Sequence, residues 1–61
     1  MTEKERLSEV FTSFGIGFHE NETSIWFSVS EECEKVEGYY LFETFFSFDE
    51  TGKFVVVSIA E

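Results

Sequence analysis

A chain of 61 residues is expected to fold as a single domain, and with one cysteine, Cys33, it cannot close an internal disulfide. Thirteen acidic residues against four basic ones give a formal net charge of −9. That sign excludes a direct grip on nucleic-acid phosphates, which requires Lys and Arg; it also helps keep an aromatic-rich chain in solution.

From the N-terminus, Thr2 to Phe14 reads as an amphipathic helix. Thr2 with Glu5 three residues on is a capping-box pattern. Glu3 and Glu5 suit the positive end of the helix dipole. Leu7, Val10, Phe11 and Phe14 recur at helical spacing and predict one buried face. Gly15 stops the helix, and Ile16 can pack back on its last turn.

Residues 17–20 and 23–30 predict a first hairpin. A two-residue loop at Asn21-Glu22 would set Phe18 opposite Ile25 and Gly17 opposite Trp26. Glu resists the left-handed conformation such a loop needs, so a longer loop stays open. Ile25, Phe27 and Val29 point one way, while Ser24, Trp26, Ser28 and Ser30 point the other. Glu31 to Lys35 is an acidic connection without an apolar stripe.

Residues 36–48 and 53–60 predict a second hairpin around Asp49-Glu50-Thr51-Gly52. Asp suits the start of such a turn and Gly its left-handed position. The expected register sets Phe48 opposite Phe54, Phe46 opposite Val56, Thr44 opposite Ser58 and Phe42 opposite Ala60, with Asp49 and Lys53 as a cross-strand ion pair. One face then holds Tyr40, Phe42, Phe46, Phe48, Phe54, Val56 and Ala60. The other holds Tyr39, Leu41, Phe45, Val55, Val57 and Ile59, mixed with Glu37, Glu43 and Ser47.

The expected fold is therefore α+β: an N-terminal helix on a four-stranded antiparallel meander of two successive hairpins. One helix can cover only one sheet face. Trp26, Tyr39, Leu41, Phe45, Val55, Val57 and Ile59 are the candidate interface on the other. Glu31, Glu32, Glu34, Glu37 and Glu43 are the candidate acidic surface for a partner. A domain this small buries only about 60% of its unfolded surface and commonly leans on a disulfide, a metal or a second copy. The second copy is the expectation here.

Catalysis is not expected. His19 is the single histidine, and its spacing from Cys33 brings neither a third orienting group nor an oxyanion hole. Glu31, Glu32 and Glu34 lack the ligand alternation and central glycine of a calcium loop. No metal or cofactor is expected. No run of about 20 apolar residues predicts a membrane span. Residues 1–15 lack the apolar run of a signal peptide, so a reducing cytoplasm is the expected setting.

The pattern Phe46, Phe48, Asp49, Glu50, Gly52, Lys53, Phe54, Val55, Val57, Ile59 and Glu61, together with a helix running into Gly15-Ile16-Gly17-Phe18, resembles small acidic proteins encoded by bacteriophages. It is similar in size and acidity to the dimeric inhibitors of the Hachiman defence system. The resemblance implies a non-catalytic, homodimeric inhibitor of a host defence protein in the host cytoplasm, and the acidic charge suits a basic or nucleic-acid-handling partner. It carries no inhibitory residue over to this chain. The alternative is an immunity protein or antitoxin for a basic toxin, or an acidic mimic of nucleic acid.

Overall fold

The computed structural model describes residues 1–29, 34–39 and 41–60. The chain forms helix α1 (Glu3–Ser13) and strands β1 (His19–Glu20), β2 (Ser24–Ser28), β3 (Glu43–Phe48) and β4 (Phe54–Ala60). The strands make one antiparallel sheet in the order β1-β2-β3-β4, the expected meander under an N-terminal helix.

Helix α1 starts where its polar chemistry dictates. The Glu5 N–H donates to Thr2 Oγ1 and the Thr2 N–H donates to Glu5 Oε1, both at 3.1 Å. The Thr2 N–H first, and the Thr2 hydroxyl donating to the same Oε1 at 3.1 Å second, hold the Glu5 carboxyl below its ordinary value. At the other end Gly15 turns left-handed (φ +73°), and the Ile16 N–H returns to the Phe11 carbonyl at 2.8 Å. Lys35 donates to the Phe14 carbonyl at 2.6 Å, which places a cation at the negative end of the helix.

The helix packs over β2 and brings few of its own side chains to the core. Phe11 is the centre of the contact. Its ring lies 5.8 Å from Phe18, 5.7 Å from Phe27 and 5.8 Å from Phe46. Beneath it Ile25, Phe27, Val29 and Phe48 are buried. The four-residue apolar stripe is only half used. Leu7 and Phe11 are half-buried, whereas Val10 and Phe14 stay exposed. An 11-residue helix lying over one inner strand leaves its flanks without sheet to meet.

The first hairpin pairs His19 with Trp26 and Glu20 with Ile25. Its turn is therefore Glu22-Thr23, one step beyond Asn21-Glu22. The Asn21 N–H closes on the Ser24 carbonyl at 3.0 Å, and Asn21 Oδ1 accepts from the Thr23 N–H at 2.9 Å. The asparagine thus serves as a side-chain acceptor rather than a left-handed residue. The slip is an even number of residues across the pair, so the faces are unchanged. Glu20, on the helix face, reaches Lys4 at 3.3 Å.

The third strand is shorter than expected. The Phe42 N–H donates to the Tyr39 carbonyl at 3.0 Å and closes a turn, while its carbonyl still accepts from the Val29 N–H at 3.0 Å, and β3 begins at Glu43. Gly38 packs on Val29, where an added Cβ would sit 2.9 Å from Val29 Cγ1.

The last hairpin corrects the sequence reading most. Phe48 pairs with Phe54 as expected, but Ser47 then pairs with Val56, Phe46 with Val57, Phe45 with Ser58, Thr44 with Ile59 and Glu43 with Ala60. Val55 is an extra residue, a β-bulge. Beyond it every side chain of β4 changes face. Val57 and Ile59 join Phe46 and Thr44 on the helix side, and Val56 and Ala60 move to the open side.

The β3–β4 turn is closed by Asp49. Its Oδ1 accepts from the Thr51 N–H (2.8 Å), the Thr51 hydroxyl (2.6 Å) and the Lys53 N–H (3.0 Å). Lys53 thus meets Asp49 through its backbone and not as the expected ion pair. Gly52 has φ +88°, and an added Cβ would lie 2.5 Å from Thr2 Cβ. Gly52→Ala therefore meets both a disfavoured backbone region and the N-cap side chain. A loss of about 2 kcal/mol or more is expected from chemical denaturation.

The Thr51 hydroxyl first, and the Lys53 N–H next, hold the Asp49 carboxyl below its ordinary value. A carboxyl lowered on folding contributes stability above its unfolded value and loses it as pH falls through the folded one. The stability gap between wild type and Asp49→Asn should therefore close on acidification through and below the ordinary aspartate range. Parallel melts of the two proteins across that range check it.

Candidate binding surface

The sheet face opposite α1 carries a row of rings. Paired residues across a sheet share a face, so His19, Trp26 and Phe45 stand side by side on β1, β2 and β3. The His19 and Trp26 rings are 5.8 Å apart at 33°, and Trp26 stacks on Phe45 at 6.0 Å and 21°. Trp26 and Phe45 are half-buried although among the described residues no helix covers them. Their mutual stacking shields part of each ring and leaves the rest to solvent.

Ser24 lies opposite Ser47, and Ser58 continues the row on β4 next to Phe45. At one end the buried Ser28 donates its hydroxyl to Glu43 Oε1 at 3.3 Å. The platform is therefore aromatic in its middle, hydroxylated around it and acidic at one end.

The seven residues expected to form one interface fall into separate groups. Trp26 and Phe45 meet on the open face. Tyr39 and Leu41 lie in the segment before β3 and are 77% and 70% exposed, with the Tyr39 ring 5.4 Å from Phe42. Val55 occupies the bulge. Val57 and Ile59 sit on the helix side and are not part of the Trp26 patch, because the bulge reverses them. Of the acidic set, Glu43 lies on the open face, and Glu34 and Glu37 are exposed. Glu31 and Glu32 lie outside the described residues, as do Tyr40 and Cys33, so the His19–Cys33 pair does too.

Two features escaped the sequence reading. His19 is a ring neighbour of Trp26, which depended on the first hairpin's register. Strand β4 is exposed along all seven residues on both faces. A signal for the second was present: Val55-Val56-Val57 is an apolar run that breaks strict alternation, and a bulge resolves such a run.

Between α1 and β1 runs an open groove lined by Ser8, Glu9, Thr12, Ser13, Phe18 and Glu20. It brings hydroxyls and carboxylates together, with Lys4 paired to Glu20 at 3.3 Å. Among the described residues no three His, Cys, Asp or Glu side chains converge as a metal site. No helix among them is long and apolar enough to cross a membrane. No family model matches the chain, and no curated protein or solved structure matches it.

The open-face rings and the core ring should differ in weight. Trp26→Ala removes a half-exposed stacked ring and is expected to cost about 1 kcal/mol. Phe11→Ala removes the ring that joins helix to sheet and is expected to cost about 3 kcal/mol or more. Urea midpoints of the two variants measure the difference.

Proposed function

We propose that the protein works by contact and not by catalysis, as a phage-type inhibitor that seats its open sheet face on a host protein, and that it does so as a homodimer. The observation that carries this reading is the Trp26–Phe45 stack on a face that, among the described residues, no helix covers. A folding core has no use for these rings there. A binding surface does, since Trp and other large aromatics anchor interfaces when their neighbours exclude water. The serines around them supply adaptable hydrogen bonds.

The net charge of −9 selects the partner's character. Acidic groups steer the approach of a basic surface and raise its association rate. A host protein that itself handles nucleic acid has such a surface.

The test is capture from a bacterial lysate by the immobilised protein, with Trp26→Ala and Phe45→Asp beside wild type and circular dichroism to show that all three are folded. Wild type should retain a host protein at low salt, and both variants should lose it. Equal capture by all three would remove the open face from the proposal. Capture should also weaken steeply as salt rises, because screening shortens the reach of exposed charge.

A further inference from the structure

The aromatic row is continuous over three strands and stops at the fourth. His19, Trp26 and Phe45 stand in line across β1, β2 and β3, with ring centroids 5.8 and 6.0 Å apart. The next position in line is Ser58 on β4, the cross-strand partner of Phe45. Paired side chains leave their strands about 5 Å apart, so a ring at that position would have extended the stack. Serine is too short to do so. Its same-face neighbours on β4, Val56 and Ala60, are also small, and all three are exposed. Among the described residues no ring meets Phe45 from the β4 side. The spacing of the row leaves room above Ser58 for one more planar group.

One carboxylate borders that gap. Glu43 lies two residues before Phe45 on the same face and is paired with Ala60, so it stands diagonal to Ser58, within reach of a long side chain. Its Oε1 accepts the Ser28 hydroxyl at 3.3 Å, and its Oε2 takes no hydrogen bond among the described residues. The four basic residues are all elsewhere. Lys4 is paired with Glu20 on the helix side, and Arg6 lies on α1. Lys35 is bound to the Phe14 carbonyl, and Lys53 closes the β3–β4 turn. Apart from His19 at the far edge, Glu43 is the one ionisable residue at an open-face strand position.

We infer that this gap receives an arginine side chain of the partner protein, its guanidinium stacked on Phe45 above Ser58 and donating to Glu43. The inference rests on the open face as the contact surface and names the group that face takes. Charge selects a cation: the aromatic face is negative, Glu43 is an acceptor, and the chain as a whole carries −9. Shape selects arginine among cations. A guanidinium is planar, weakly hydrated and forked, so it can stack on a ring and hydrogen-bond a carboxylate in the same pose. A lysine ammonium is a compact, strongly hydrated charge and fills no planar gap. An aromatic side chain would fill the gap but would desolvate Glu43 without pairing it. The Ser58 hydroxyl, beneath the guanidinium, is a further acceptor.

Trp26 is the single tryptophan of the chain, so its fluorescence reports binding at the row. Tetra-arginine and tetra-lysine peptides, equal in charge, are titrated into the protein at low salt. The arginine peptide should bind about tenfold tighter. Glu43→Gln keeps an oxygen for Ser28 and removes the charge, while Phe45→Leu keeps an apolar side chain and removes the ring. Each should lower the arginine-to-lysine ratio to about twofold or less. Glu50→Gln, in the turn at the other end of β3, should weaken both peptides slightly and leave the ratio unchanged. Circular dichroism shows whether each variant is folded. Equal affinity of the wild type for both peptides, or a ratio that neither Glu43→Gln nor Phe45→Leu lowers, would overturn the arginine site. The lysate capture separates this outcome from the broader reading. Host capture that needs Trp26 but is undiminished in Glu43→Gln would overturn the arginine site and leave the open face as the contact surface. A peptide ratio that behaves as expected, beside capture that ignores Trp26, would keep the arginine site and remove the host-protein reading.

Discussion

The start of α1 is tied to the β3–β4 turn, and the distribution of surface over the rest of the molecule follows from that junction. The Lys4 N–H donates to the Gly52 carbonyl at 3.0 Å, and Thr2 packs where a Cβ on Gly52 would stand. Glu3 takes the Phe54 N–H. Three consecutive residues of the helix start thus hold the turn and the first residue of β4. The other helix end is held by the Ile16 N–H on Phe11 and by Lys35 on Phe14. Anchored at both ends, the helix lies mainly over β2, with Phe11 reaching Phe46 on β3.

A short helix on a four-stranded sheet leaves much apolar surface outside the core. In this chain that surface is of two physical kinds. The aromatic row on the open face offers side chains and supports recognition of another side-chain surface. The β4 edge offers outward backbone groups at Val57 and Ile59 flanked by β-branched side chains, the kind of surface that templates strand pairing. The two do not overlap, because the bulge at Val55 sends Val57 and Ile59 to the helix side while Trp26 and Phe45 keep the open side. One inserted residue therefore separates what a regular strand would merge into a single patch.

The acidic residues fit the same division. Glu3, Glu5 and Asp49 accept hydrogen bonds at the helix start and the turn. Glu20 faces Lys4 at the protected edge, and Glu43 closes one end of the open face against Ser28. None falls between Phe54 and Ala60. The strand itself carries no charged side chain, and the carboxylate of Glu3 caps its first outward N–H.

The sequence by itself determined the elements whose chemistry is local. Thr2 and Glu5 mark the helix start, and Gly15 marks its end. The Asp49-to-Gly52 turn, the alternation Ile25-Phe27-Val29 and the meander order were legible because each depends on residues a few positions apart. Trp26 and Phe45 as open-face neighbours were legible too, since the pairing of β2 with β3 keeps the parity that alternation implies. Only the tertiary structure decided the rest. Whether Val10 and Phe14 are covered depends on where the helix lies. The turn at Glu22-Thr23 depends on which asparagine group is used. The face of Val57 and Ile59 depends on a bulge that alternation cannot locate, because each of three successive valines satisfies the strand pattern equally well. Register is a relation between strands, and it is settled when the helix start, the turn and the sheet close on one another.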